Sequence, residues 1–252
     1  METGRVHGRI LDGVATVVLD NPAKRNAMTN EMWNTLPSLL DQLAADQDVA
    51  VLVITGAGDT FCAGADISTL TGFAPGEPMP ATVAEDALVA FPKPVVAAIR
   101  GWCVGGGCQI AVACDLRIAE QGSRFGITPA KIGVVYPAAT TARLVELVGP
   151  AAAKFLLFTG DFIDDERALR TGLVDELVPP GGLEARVGEL ARTLASRSRL
   201  TQHAAKDLIR ATLDGRPTAE GYRRWAAEGA AELAEGVAAF AERRVPSFPW
   251  RP

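Results

Sequence analysis

Residues 91–119 read FPKPVVAAIRGWCVGGGCQIAVACDLRIA. Pro92 and Pro94 end a helical stretch expected over roughly 82–91. Residues 95–100 are apolar and partly β-branched, the pattern of a strand covered on both faces. A glycine-rich turn, 101–107, follows. An apolar helix is expected from about Cys108, and 116–119 reads as another short strand. The order is buried strand, glycine turn, helix start, strand.

The same design lies just upstream in VLVITGAGDTFCAGADIS, 51–68. An apolar strand over 49–55 leads into a turn-rich loop over 56–64. Glycine permits positive φ and close approach of a ligand to the main chain. A helix start offers unpaired N–H groups and the positive end of the helix dipole. Two such turns facing each other can aim two N–H donors at one carbonyl oxygen. A dinucleotide GxGxxG is excluded by the spacing of GWCVGGG and GAGDTFCAG, and no Walker lysine follows either turn.

Further out, VATVVLD at 14–20 reads as a strand ended by Asn21-Pro22. Thr29 is placed to cap a helix running to about Ala45. GFAPGEPMPA at 72–81 reads as a mobile loop. From about 137 the pattern is helical, with Gly149, Gly160 and Gly172 as stops and one last strand over 174–178. The Ala-, Glu- and Arg-rich stretch 184–243 reads as helices. The expectation is one α/β domain, with a core over about 1–190 and a helical C-terminal region over about 191–252.

The chain has 252 residues, 48% of them hydrophobic and 22% charged, which suits a globular protein with a sizeable core. A net charge of −5 argues against nucleic acid as the main partner. No apolar run is long enough to span a membrane. METGRVHGRI carries no apolar signal segment, so the expected location is the cytoplasm. Cys62, Cys103, Cys108 and Cys114 form no CxxC pair, and with only His7 and His203 beside them they read as buried thiols, not as a metal site.

FCAGADI at 61–67, residues 91–119 and TGDFIDDERALRTGLVDELV at 159–178 together closely resemble the enoyl-CoA hydratase/isomerase (crotonase) family. LDNPAKRNAMT at 19–29 and EGVAAFAERRVPSF at 235–248 extend the resemblance to nearly the whole chain. It implies an α/β fold of the ClpP/crotonase type, a ββα superhelix with a helical C-terminal trimerisation region. It also implies an acyl-CoA substrate, with CoA entering as part of that substrate and no separate cofactor. The assembly implied is a homotrimer or a dimer of trimers.

Residue by residue, the resemblance assigns the oxyanion donors to the backbone N–H of Ala65 and of Gly106. It places Lys24 and Arg25 near CoA phosphates, and the Asn26-Ala27 backbone near the adenine. Ala63, Asp66 and Ile67 flank the first donor in the same binding loop, where Asp66 is also suited to cap the next helix. Phe240 and Arg243 match a C-terminal segment that often reaches an adjacent subunit's ligand, with Arg244 as a possible substitute.

The chain departs from the family's hydratases at both acid–base positions. Gln109 and Pro129 stand where those enzymes carry glutamates, and neither can exchange a proton near neutral pH. Glu120 and Glu146 are the nearest carboxylates in sequence. FGITPAKIGVVYP at 125–137 resembles instead the methylmalonyl-CoA decarboxylase-like branch, through Thr128-Pro129 and a tyrosine seven residues after the proline, Tyr136. That branch needs no initial base. It implies Tyr136 as hydrogen-bond or proton donor, with Thr128 assisting. An acyl-CoA-binding protein without turnover is the third reading.

Overall fold

The computed structural model describes residues 4–69 and 79–251. The loop expected over 72–81 therefore falls mostly outside the described residues. Its last two positions, Pro80 and Ala81, belong to a helix.

β1 (Arg5–Leu11) and β2 (Val14–Asp20) form an antiparallel hairpin, with Leu11 opposite Val14. The turn residues Asp12 and Gly13 have φ of 50° and 79°, as a type I′ turn requires. β3 (Val51–Gly56), β4 (Val95–Ile99), β6 (Leu116–Glu120) and β9 (Glu176–Val178) continue the sheet in parallel, in the order β1-β2-β3-β4-β6-β9. A smaller sheet stands apart from it. It is made of β5 (Trp102–Val104), β7 (Arg124–Gly126) and β8 (Ile163–Asp164).

The central strands are buried on both faces, and alternation shows how. Leu52 and Ile54 of β3, with Val95, Ala97 and Ile99 of β4, join the main core. Val51, Val53, Val96 and Ala98 face a second core on the other side. Each fully buried large apolar side chain contributes about 1.5–3 kcal/mol. α1 (Asn30–Ala45) covers the first face with Met32, Trp33, Leu36, Leu40 and Leu43. Thr29 caps this helix, its side chain accepting from Met32 N at 3.2 Å. α2 (Pro80–Ala90) packs beside it, and α3 (Gly106–Ala113) packs on α2.

α4 (Ala138–Thr159) follows, and then α5 (Asp165–Arg170). α6 (Leu183–Ala195) covers the second face of the large sheet with Leu183, Val187 and Ala191. The C-terminal region comprises α7 (Arg199–Leu213), α8 (Ala219–Glu228) and α9 (Ala230–Glu242).

Four sequence expectations are corrected. β1 was not anticipated. Gly101–Gly107 is not all turn, because its middle residues pair with β7 as β5. α3 starts at Gly106, earlier than Cys108. Gly149 does not stop α4. It kinks the helix at φ 74°, and Pro150 restarts it, a position where proline lacks only a hydrogen bond that the kink has already removed. Gly160 does end α4, in a left-handed C-cap.

All four cysteines are free and buried. Burial raises the Cys62 and Cys114 thiols to about 12, which makes them inert. Among the described residues, no cluster of His, Cys, Asp or Glu is placed to hold a metal ion, and no helix is long and apolar enough to cross a membrane.

Candidate active site

The loop after β3 is fixed by main-chain bonds to its neighbours. Phe61 N donates to Arg100 O and Cys62 N to Trp102 O, while Val104 N returns a bond to Cys62 O. Met28 then grips both sides of Ala65. Its N–H donates to Gly64 O, and its C=O accepts from Asp66 N, each at 2.8 Å. The Ala65 N–H itself has no backbone acceptor among the described residues. Gly64 turns the chain at φ 106°, a conformation open to glycine.

The second turn supplies the other donor. Gly105 has φ 54° and ψ −123°, again glycine geometry, and its N–H donates to Gly126 O at 2.8 Å. Gly106 then opens α3, and its N–H has no backbone acceptor among the described residues, as the first residues of a helix leave theirs. The two donors are neighbours. A methyl group placed on Gly106 would lie 3.6 Å from Ala65 N, and one on Gly64 would lie 3.5 Å from Gly106 N. The indole of Trp33 underlies Gly106, within 3.0 Å of the same methyl position.

Ala65 and Gly106 line one mainly apolar cavity, together with Ala63, Ile67, Ile132 and Val134. Its polar groups are few. Gln109, 2% exposed, brings an amide whose buried Nε2 has no hydrogen-bond partner among the described residues. Thr128 Oγ1 and Tyr136 Oη converge over Gly105, at 3.8 and 3.9 Å from a methyl position on that residue. Burial raises the Tyr136 phenol well above its ordinary range, with Cys108 and Glu85 adding to the rise, so it stays protonated. Pro129 is buried and opens the short 3-10 turn Pro129–Lys131. Candidates from three separate stretches of sequence, Ala65, then Gly106 and Gln109, then Thr128, Pro129 and Tyr136, thus line one cavity.

The 24–27 turn stands beside that cavity and is tied to it, since Ala63 N donates to Arg25 O at 3.0 Å. Asn26 is fully buried at φ 58°. Its side chain accepts from Asn21 N and donates to Ala57 O and Thr60 O. Lys24, expected near a CoA phosphate, is paired within the chain. Its Nζ meets Asp66 Oδ2 at 2.6 Å. Hydrogen bonds from Lys24 and Ser68 hold the Asp66 carboxyl below its usual range. The capping expectation for Asp66 fits its bonds to the N and Oγ of Ser68. The Arg25 guanidinium lies 5.9 Å from the centre of the Trp102 ring.

Phe240 and Arg243 lie outside the cavity. Phe240 is 87% exposed and borders a separate groove beside Ser198 and Phe248, and Arg243 is the left-handed C-cap of α9. Arg244 is engaged with Glu235 and Glu242. Neither Glu120 nor Glu146 lines the cavity. Glu120 accepts from Gly181 N, and Glu146 borders a different groove.

The sequence reading missed Glu85. It is 3% exposed and lines the cavity from α2. A usable signal existed. Ala81, Glu85 and Leu88 fall on one helical face, which puts a carboxylate on an apolar stripe. The reading also missed Trp33, the aromatic floor of the site.

This architecture is the crotonase fold. A structure of an enoyl-CoA hydratase/isomerase family member superposes with a TM-score of 0.90 at 43% identity, covering 100% of this chain and 98% of that one. The family model for enoyl-CoA hydratase/isomerase matches residues 9–251, and the chain belongs to that family. Among its relatives, (E)-benzylidenesuccinyl-CoA hydratase of Thauera aromatica is 36% identical, with 93% of this chain and 95% of the relative covered. Crotonyl-CoA hydratase of Syntrophomonas wolfei is 32% identical, with 93% and 94% covered.

Proposed function

We propose that the chain is an enzyme acting on an acyl-CoA thioester. The thioester oxygen sits between the N–H groups of Ala65 and Gly106, which stabilise the enolate formed at the α-carbon. The observation that carries this reading is the pair of adjacent N–H groups, without a main-chain acceptor among the described residues, in the lining of a mainly apolar cavity. Fixed donors in a low-dielectric site favour a developing oxyanion more than a neutral carbonyl. The CoA moiety lies along the 24–27 turn, with Lys24 exchanging Asp66 for a phosphate. Gln109 and Pro129 take no proton, so the reaction is hydratase/isomerase-like without the usual pair of glutamates.

Mass spectrometry of an acyl-CoA panel after incubation tests this, with crotonyl-CoA and methylmalonyl-CoA included. The expected result is a thioester that gains water, changes isomer or loses carbon dioxide. An unchanged panel with retained binding supports an acyl-CoA-binding protein instead.

The position of Tyr136 Oη beside Gly105 favours a second reading, decarboxylation of a malonyl-type thioester. There the protonated phenol orients the departing carboxylate or protonates the enolate. Under this reading Tyr136→Phe slows carbon dioxide release by about 10²-fold or more, the range for a lost acid catalyst. An unchanged rate rejects it.

α9 exposes Leu233, Val237 and Phe240 on one face. Such a stripe supports association as a homotrimer or dimer of trimers. Light scattering on the purified protein is expected to give a multiple of three chains, and a monomer at micromolar concentration rejects this.

A further inference from the structure

Three helices that pack in series, α2 on α3 and α3 on α4, line two separate spaces. Glu85 of α2, Gln109 of α3 and Thr140 of α4 line the cavity beside Ala65 and Gly106. About one helical turn further along the same helices, some 5.4 Å on, Val89, Val112 and Arg143 line a groove, and Leu147 follows Arg143 by another turn. All three helices thus run from cavity to groove in chain direction. The order along α3 is oxyanion donor, cavity wall, groove wall, since the helix begins with Gly106. The two spaces differ in size. The cavity has a volume of about 120 Å³ and the groove about 540 Å³, and the lining of both is mainly apolar.

A cluster of polar side chains stands between them and joins α2 to α4. Glu85 Oε2 accepts from Thr140 Oγ1 at 2.7 Å and from Arg143 Nη1 at 3.2 Å, and Arg143 is held a second time by Asp86. Glu85 and Thr140 are 3% and 2% exposed. Those two border the cavity while Arg143 borders the groove, so the cluster is a wall that both spaces share. Parting it would strand a buried charge, which costs more than burying a few methylenes gains. We propose that Glu85, Thr140 and Arg143 form a stop at the distal end of the acyl site, and that the substrates are short-chain acyl-CoA thioesters. The proposal rests on the reading that Ala65 and Gly106 hold the thioester oxygen. An aliphatic cavity of roughly 150 Å³ admits one benzene, so 120 Å³ admits an acyl group of about four to six carbons.

Titration calorimetry of the purified full chain with CoA and with butyryl-, hexanoyl-, octanoyl- and decanoyl-CoA tests this. Affinity is expected to rise by about fourfold for each methylene that gains apolar cover. The rise is expected to end at hexanoyl-CoA, with octanoyl- and decanoyl-CoA level or weaker. Affinity that keeps climbing through decanoyl-CoA overturns the proposal and leaves the thioester reading in place. If no thioester binds more tightly than CoA itself, the cavity does not take the acyl group. The thioester reading then falls, and the proposal with it.

Opening the wall shows whether it sets the limit. The double substitution Glu85→Ala with Arg143→Ala removes both charges together, so neither is left buried alone. The ratio of decanoyl- to butyryl-CoA affinity is expected to rise by about 10²-fold, as the chain end enters the groove. Adding Leu147→Trp on the groove side is expected to abolish that rise. A folded double variant with the wild-type ratio overturns the proposal, and so does a rise that Leu147→Trp leaves intact. Thr140→Ala covers the case in which the double variant does not fold. It takes away one post of the wall and no charge, and the same ratio is expected to rise by about tenfold. A wild-type ratio in that variant, with its circular dichroism unchanged, overturns the proposal.

Discussion

Gly106→Pro is expected to cut turnover by about 10²–10³-fold, the loss that follows removal of one oxyanion donor, worth about 2.7–4 kcal/mol of transition-state stabilisation. Proline removes the N–H without moving a catalytic side chain. The first position of a helix also tolerates proline, because its N–H has no partner inside the helix. Gly106→Ala is the informative comparison. It keeps the donor but places a methyl 3.0 Å from Trp33 Cζ2, so the indole must yield slightly. The order expected for any active substrate in the panel is glycine, then alanine, then proline far below. Equal activity in the proline variant would mean that the Gly106 N–H does not hold the thioester oxygen.

Asn26→Leu is expected to lower Tm by roughly 10 °C in a calorimetric scan. Three main-chain groups lose their partner together. Asn21 N loses an acceptor, and Ala57 O and Thr60 O lose donors at 2.8 and 2.6 Å. Each buried group left unpaired costs about 1–3 kcal/mol. Leucine at φ 58° adds strain that asparagine bears more easily. A total near 3–5 kcal/mol corresponds to the stated shift at roughly 2–4 °C per kcal/mol for a chain of this size. The same substitution frees the loop that carries Ala65, so activity is expected to fall at temperatures where the fold is intact. A Tm within a degree of wild type would show that water replaces the lost amide.

The central architecture could be read from sequence because its signals are local. A strand buried on both faces must be apolar at nearly every position, and 51–55 and 95–99 are. The glycine turns follow those strands directly, so the two segments that bring Ala65 and Gly106 side by side carry a local mark in the sequence. β1 escaped because six of the seven residues of RVHGRIL are exposed, which leaves no apolar pattern. Its one local signal was Asp12-Gly13. Glu85 escaped for a different reason. Its carboxylate lies on α2, away in sequence from both glycine turns and from the 125–137 stretch. Only the folded chain brings α2 beside α3. The ion pair between Lys24 and Asp66 was equally out of reach, since it joins residues 42 positions apart.

Both donors at the cavity are main-chain groups, fixed by Met28 on one side and by the turn at Gly105 on the other. A peptide N–H survives nearly every codon change, because only proline deletes it. Heredity therefore treats the two halves of this site differently. On the function proposed above, the part that polarises a carbonyl is inherited with the path of the chain, while the side chains around it can be exchanged one at a time. A lineage built on this scaffold can exchange the side chains that face the cavity one position at a time and keep the two N–H groups throughout. It need never pass through a form that cannot hold its ligand.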